Sequence, residues 1–260
     1  MRMALPDISS SGGRLNNVPR PLTPRTDRAG KAVRNLTLLT IPDEEFLTLR
    51  PLLEPVELSR YKVLYEQAQK IESAHFLNDG MVSLVVITND GRSVEVAIAG
   101  REGVVGVPPA FGFETAPMRT IVQLPGTGLR ISSEALQENF ANSPHLRHAI
   151  ERYLVLQQMQ VAQIAACNRL HDMDQRLARW LLMCQDRVNS EMLPLTHEFI
   201  AQMLGSGRPT VTIAAGVLER AGLIENTRGS VRILNRKRLE GAACECYGVI
   251  QNYLGNLRLE

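Results

Sequence analysis

The 260 residues are 44% hydrophobic with a formal net charge of +2, enough apolar material for two modest cores and a charge balance that neither demands nor excludes a polyanionic partner. No run approaches the roughly 18 apolar residues of a membrane span, and the N-terminus lacks the apolar stretch of a signal peptide, so a cytoplasmic protein without a membrane partner is expected. Cys167, Cys184, Cys244 and Cys246 are too few and too scattered for a disulfide framework, and reduced thiols are expected.

Residues 1–35 are rich in Ser, Gly, Pro, Asn and Arg and show no periodicity, which predicts a flexible arm, either a solvated tail or a segment that touches DNA or a partner. A short helical pattern follows, with Pro42 and Asp43 at its start and Pro55 as a stop. The runs MVSLVVIT and RSVEVAIA flank Asn89-Asp90-Gly91, and the second alternates Val94, Val96 and Ile98 with Glu95, Ala97 and Ala99. That is a hairpin whose Asp-Gly turn needs positive φ. TIVQL and GLRI, set off by Gly and Pro clusters, extend it to a small antiparallel β-barrel or jelly roll. No catalytic constellation lies on this stretch.

From about Ser132 the periodicity becomes helical. Ser143 is placed as an N-cap with Pro144 at the first helical position. Ile150, Leu154, Val161 and Ile164 then recur at three, four or seven residues, with Gln157 and Asn168 in the same seam. This long helix either packs on its own barrel or forms the seam of a homodimer. The next helix sets Leu177, Trp180, Leu181 and Cys184 on one face and Arg176, Arg179, Asp186 and Arg187 around the other.

Thr196 to Leu234 reads as a winged helix-turn-helix. Thr196 caps a first helix that buries Phe199, Ile200, Met203 and Leu204, and Gly205 ends it where a left-handed residue allows a sharp turn. A second helix starts near Gly207, accepts Pro209 in its first turn, buries Val211, Ala214, Ala215 and Leu218, and ends at Gly222. Thr196, Ser206, Arg208, Thr210 and Thr212 are the candidate DNA contacts on the pair, because a helix-turn-helix presents the start of its second helix to the major groove. The guanidinium fork of Arg208 suits O6 and N7 of guanine, with a phosphate contact as the alternative role. LIENTRGSVRIL forms a wing, whose Arg228 and Arg232, with Arg236, Lys237 and Arg238 beyond it, are placed to meet the backbone. Double-stranded DNA is therefore the expected partner.

The order of barrel, long helix and winged helix-turn-helix, with FLNDGMVSLV, GREGVVG and LTHEFIAQMLGSGRPTVTIAAGVLERAGLIENTRGSVRIL as its specific motifs, resembles the Crp/Fnr family of bacterial transcription regulators over roughly residues 36–245. The resemblance implies an α+β chain: an arm (1–35), a cyclic-nucleotide-binding-like sensor barrel (36–142), a dimerisation helix (143–170), a winged helix-turn-helix domain (171–245) and a C-terminal tail (246–260). It further implies a homodimer on a partly palindromic operator, contact with RNA polymerase and a small-molecule effector. Arg208 falls on the family's recognition-helix arginine, whereas Pro209 and Ile213 replace residues able to hydrogen-bond bases.

In the barrel, Val104 stands where cyclic-AMP-binding members of the family place a ribose-binding Glu, and only Arg119-Thr120 aligns with the phosphate-binding pair. The chain therefore departs from cyclic-AMP sensing. The family's N-terminal iron-sulfur ligand group is absent, because residues 1–166 contain no cysteine. Cys244-x-Cys246 is either a pair of ordinary thiols or a metal-binding or oxidisable pair. No cofactor, metal or catalytic residue is assigned. The alternatives from other classes are a metal-dependent cupin-like enzyme with an accessory helical domain, for which the barrel offers only His75 among scattered acids, and an adaptor module without DNA binding.

Overall fold

A computed structural model describes residues 24–188 and 190–255. The chain opens with two short helices, α1 (Leu36–Thr40) and α2 (Asp43–Leu49), and a 3₁₀ turn at Arg50–Leu52. Eight strands follow: β1 (Glu54–Leu58), β2 (Val63–Tyr65), β3 (Ser73–Leu77), β4 (Met81–Ile87), β5 (Ser93–Ala99), β6 (Val104–Val105), β7 (Arg119–Leu124) and β8 (Gly126–Ser132). They form two antiparallel four-stranded sheets, ordered β1-β8-β3-β6 and β2-β7-β4-β5. Sheets of this kind, facing one another, make the jelly-roll barrel that the alternating pattern implies. The β4–β5 hairpin turns through Asn89-Asp90-Gly91, with Gly91 at φ +82°. Pro55, expected to stop a helix, lies instead within β1, an edge strand where a missing N–H costs no ladder bond.

The expected arm is partly packed. Residues 1–23 lie outside the described residues, but at 24–35 the chain is pinned by Arg25, which is buried, donates to the Leu38 and Ile41 carbonyls and the Asp43 carboxylate, and stacks on Phe46. Polar composition concealed this, because the segment is held by hydrogen bonds and one cation rather than by an apolar face.

α3 (Ser133–Asn142) leads into the long α4 (Pro144–Leu170). Ser143 occupies the N-cap position of α4 but makes no side-chain cap bond. Glu45 takes that role, accepting from the backbone N–H groups of His145 and Leu146 at 3.2 and 2.9 Å. The expected seam also divides. Ile150 and Ile164 are buried within their own chain, Leu154 and Val161 are half-buried, Gln157 donates to Tyr153 Oη and Asn168 accepts from Arg176. The side of α4 left open carries Val155, Met159, Ala162 and Ala166 instead. A period of three and four was correctly read, but two equivalent stripes satisfy it and the barrel takes the more apolar one. At Gly103 the barrel touches α4 so closely that a Cβ would lie 2.1 Å from the Tyr153 ring.

α5 (Met173–Val188) is not amphipathic as its pattern implies: Arg179 and Arg187 are buried together with its apolar residues. It lies between the barrel and the C-terminal part, which comprises β9 (Met192–Leu193), α6 (His197–Met203), α7 (Arg208–Arg220), β10 (Ile224–Thr227), β11 (Ser230–Ile233), α8 (Arg236–Ala242) and α9 (Cys246–Gly255). Met81, Val85, Ile98 and Leu124 of the barrel share one apolar core with α5, α6 and α7. The expected C-terminal tail is thus helical over most of its length, with Ile250 of α9 buried in that same core. Among the described residues no helix is long and apolar enough to cross a membrane.

Two carboxylates enter the barrel–α5 interface. Glu102 accepts from Arg187 Nη2 and Nε at 2.6 and 3.0 Å, with both side chains buried. Glu95 accepts from Trp180 Nε1 at 2.8 Å, and burial raises its pKa from 4.5 to about 7. A carboxyl that keeps its proton to about pH 7 when folded, but releases it near 4.5 when unfolded, makes stability fall as pH rises through that window and level off above it. Glu95→Gln is therefore expected to remove this slope and to stabilise the protein at pH 8 by up to about 3 kcal/mol. Thermal melts of both proteins from pH 5 to 8 read it out, and equal slopes would contradict it.

Candidate nucleic-acid interface and sensor cavity

Thr196 caps α6 by accepting from Phe199 N at 3.2 Å. Gly205 takes φ +58°, and the chain doubles back with Ser206 N donating to Ala201 O at 2.9 Å. Ala201 is buried at this crossing, small enough for α6 and α7 to approach closely. α7 begins after Gly207, whose lack of a side chain leaves the first turn uncapped. N–H groups at an uncapped helix start attract phosphate oxygens. Val211, Ala214, Ala215 and Leu218 face inward, while Arg208, Pro209, Thr210, Thr212 and Ile213 are exposed. The structure thus brings Ser206, Arg208, Thr210 and Thr212 together at one helix start, with Thr196 at the head of α6.

The Thr212 hydroxyl is already engaged, donating to Arg208 O at 3.0 Å and lying 3.1 Å from His197 Nδ1. His197 Nε2 is 3.1 Å from Asn226 Oδ1, and Asn226 N donates to Glu219 Oε1 at 2.7 Å. These bonds tie α6, α7 and the wing into one unit. Sequence reading missed the set, because its bonded partners lie 7, 15 and 29 residues apart and none is unusual alone.

On the wing, Arg228 is exposed at the β10–β11 turn, and Arg232 is exposed with Glu225 3.8 Å away. Arg236 does not belong with them. It donates to Asp186, Gln185, Glu240 and Tyr247, so its charge is spent inside the protein, while Lys237 and Arg238 remain exposed.

Between the two barrel sheets and α4 lies a cavity of about 220 Å³ lined by Tyr65, Leu84, Val104, Val107, Met118, Thr120, Leu154 and Gln157 among others. Among the described residues no charged side chain lines it. Arg119 and Thr120, aligned in sequence with a phosphate-binding pair, part company on β7, where successive side chains face opposite sides of the sheet. Thr120 is buried at the cavity, whereas Arg119 turns outward and donates to Glu66 at 2.8 and 3.0 Å. Glu102, the nearest carboxylate in sequence, is committed to Arg187. His75 is buried, with Nδ1 2.7 Å from Tyr65 Oη, and burial lowers its pKa to about 4, so it is a neutral core histidine.

A helix pair with an exposed basic start, a basic wing and an attached β-barrel define a DNA-binding transcription regulator. Two family models match in series: a cyclic nucleotide-binding domain over residues 55–143 and a Crp-like helix-turn-helix domain over residues 175–242. The chain belongs to the Crp/Fnr family of transcription regulators. It is 27% identical over 188 residues to the global nitrogen regulator of Nostoc sp., covering 67% of this chain and 81% of that protein. It is 24% identical over 196 residues to the CRP-like cAMP-activated global transcriptional regulator of Mycobacterium tuberculosis, covering 72% and 87%. In fold it is similar to FixK2 from Bradyrhizobium japonicum, with a TM-score of 0.63 at 15% identity over 74% of this chain and 98% of that one.

Removing the Asn226 amide breaks the link between His197 and the wing. Asn226→Ala is expected to cost about 1 kcal/mol and to speed amide hydrogen exchange across residues 224–233. Unchanged exchange there would show that the wing is held by its backbone ladder alone.

Proposed function

We propose that the protein is a cytoplasmic homodimeric regulator that reads a partly palindromic operator with α7, and that its barrel does not respond to cyclic AMP. The observation that carries the DNA reading is the start of α7, where an exposed Arg208 stands beside an uncapped helix terminus on a frame fixed by His197, Thr212 and Asn226. Arg208 donates to guanine O6 and N7. Ser206 and Thr210 bond the flanking backbone, and Arg228 and Arg232 neutralise phosphates beside the groove. Thr196, beside His197 at the head of α6, reaches a phosphate from there. Pro209 and Ile213 present only apolar surface, suited to a thymine methyl group rather than to a base-edge hydrogen bond.

Dimerisation is assigned to the open stripe of α4, Val155, Met159, Ala162 and Ala166, spaced four, three and four residues as a two-helix seam requires. Leu154 and Val161 flank it, half-buried against the barrel. A second copy across this seam sets two α7 helices about one DNA turn, roughly 34 Å, apart. The cavity favours an uncharged, mostly apolar effector. A cyclic phosphate there meets no cation, because Arg119 faces away, and a ribose hydroxyl meets no carboxylate.

Two experiments test these assignments. Arg208→Ala is expected to weaken operator binding by about 1 to 3 kcal/mol and to relax preference at one base pair in each half-site. Fluorescence anisotropy with single-base operator variants measures both, and full affinity with unchanged preference would remove Arg208 from the interface. Met159→Glu puts like charges across the seam and is expected to convert dimer to monomer in light scattering, with operator affinity lost in parallel. A dimer that survives the substitution would place the seam elsewhere.

A further inference from the structure

At the elbow between α4 and α5, four potential metal ligands from distant parts of the chain converge. Cys167 lies in the last turn of α4 and His171 follows that helix, while Cys244 lies between α8 and α9 and Cys246 opens α9. Their ligand atoms all lie within 4.8 Å of one another, and the three cysteines are buried. Cys167 Sγ is 3.4 Å from Cys244 Sγ, and Cys246 Sγ is 3.5 Å from His171 Nδ1.

We propose that Cys167, His171, Cys244 and Cys246 form a tetrahedral Cys₃His site for Zn²⁺ that fastens α9 to the α4–α5 elbow. The distances match that ion. With Zn–S near 2.3 Å and Zn–N near 2.0 Å, a tetrahedron has S···S edges of about 3.8 Å and S···N edges of about 3.6 Å. The Cys167–Cys244 and Cys246–His171 separations lie within tenths of an ångström of these edges, and the remaining ones, none above 4.8 Å, close by up to about 1 Å on binding. A multi-iron cluster needs its ligand sulfurs spread over several irons, wider than a set gathered around one centre.

The surroundings fit as well. His171 directs Nδ1 inward, and its Nε2 lies 3.2 Å from Glu245 Oε1, the carboxylate–imidazole pairing that orients a metal-bound histidine. Gln163 Nε2 donates to Cys246 Sγ at 3.0 Å, a bond that favours a thiolate. Three thiolates and a neutral imidazole around Zn²⁺ carry a charge of −1. Arg179 and Arg176 on α5 both lie close enough to act electrostatically on Cys167, each has an Nε without a hydrogen-bond partner, and they supply the compensating positive charge. The proposal departs from the sequence reading, which assigned no metal, because Cys-x-Cys alone offers two ligands and the other two lie more than 70 residues earlier.

Full-length protein, purified with a thiol reductant and without chelator, is expected to hold about one zinc per chain by elemental analysis. After zinc removal, titration with Co²⁺ alone should produce the intense visible bands of a tetrahedral, sulfur-ligated ion. Cys244→Ser is expected to abolish stoichiometric binding. Glu245→Gln, which changes only an exposed neighbour of His171, should keep the fold and weaken Co²⁺ binding by about tenfold. Chelation should lower the melting temperature of the wild type and leave Cys244→Ser unmoved. Reduced protein that takes up neither ion overturns the proposal, as does a cobalt spectrum that survives Cys244→Ser. Recovery of a metal-free Cys167–Cys244 disulfide that gains no metal on reduction also overturns it. None of these readouts depends on DNA binding, so the site and the operator reading stand or fall separately.

Discussion

The joint between barrel and reader rests on the buried pair of Glu102 and Arg187. Taking both charges out of water is costly, and the cost is offset only if each finds its partner in good geometry. Here the guanidinium places two donors on one carboxylate oxygen at 2.6 and 3.0 Å and spends a third on the Met183 carbonyl. The pair specifies how α5 lies on the barrel, since a slip of one helical turn would strand two charges. Around it the apolar core runs without a break from β4 and β5 through α5 into α6 and α7. Barrel and helix-turn-helix are therefore packed on one core, with the elbow after α4 as the point where the chain changes direction.

This continuity explains which parts of the fold were legible in the sequence. Hairpin, turn and helix-turn-helix are governed by local rules, a positive φ at Gly91, a cap at Thr196 and a left-handed turn at Gly205, and each leaves its mark within a few residues. Segments whose structure depends on distant partners were not legible. Arg25 reads as a tail residue until Asp43 and two carbonyls are brought to it, and Arg179 and Arg187 read as a solvated face until the barrel covers them. The stripe of α4 shows the same limit, because periodicity fixes the spacing of apolar residues without saying which of two stripes meets the chain's own core.

The candidate site divides in the same way. The residues at the start of α7 were legible because a helix-turn-helix presents that turn by construction. The alignment of Arg119-Thr120 with a phosphate-binding pair did not carry over, because the alternation of β7 sends one side chain out and the other in. The cluster at the elbow was half legible: Cys244-x-Cys246 stood out as a pair, but Cys167 and His171 did not, because two helices and a wing must fold before they come within reach of it.

One further consequence follows from the β4–β5 ribbon. Leu84 on β4 lines the cavity, and Val94 on β5 lies against Gly205, where an added Cβ would come within 2.9 Å of it. The two strands are hydrogen-bonded along their length. The cavity and the α6–α7 turn thus adjoin the same stretch of ribbon, since Val94 pairs with Val86, two residues along β4 from Leu84. Linkage between them is reciprocal by thermodynamic necessity: any factor by which a cavity ligand alters operator affinity is the factor by which the operator alters that ligand's affinity. For a ligand with such an effect, occupied operators would act as a buffer, holding or shedding it in proportion to that factor.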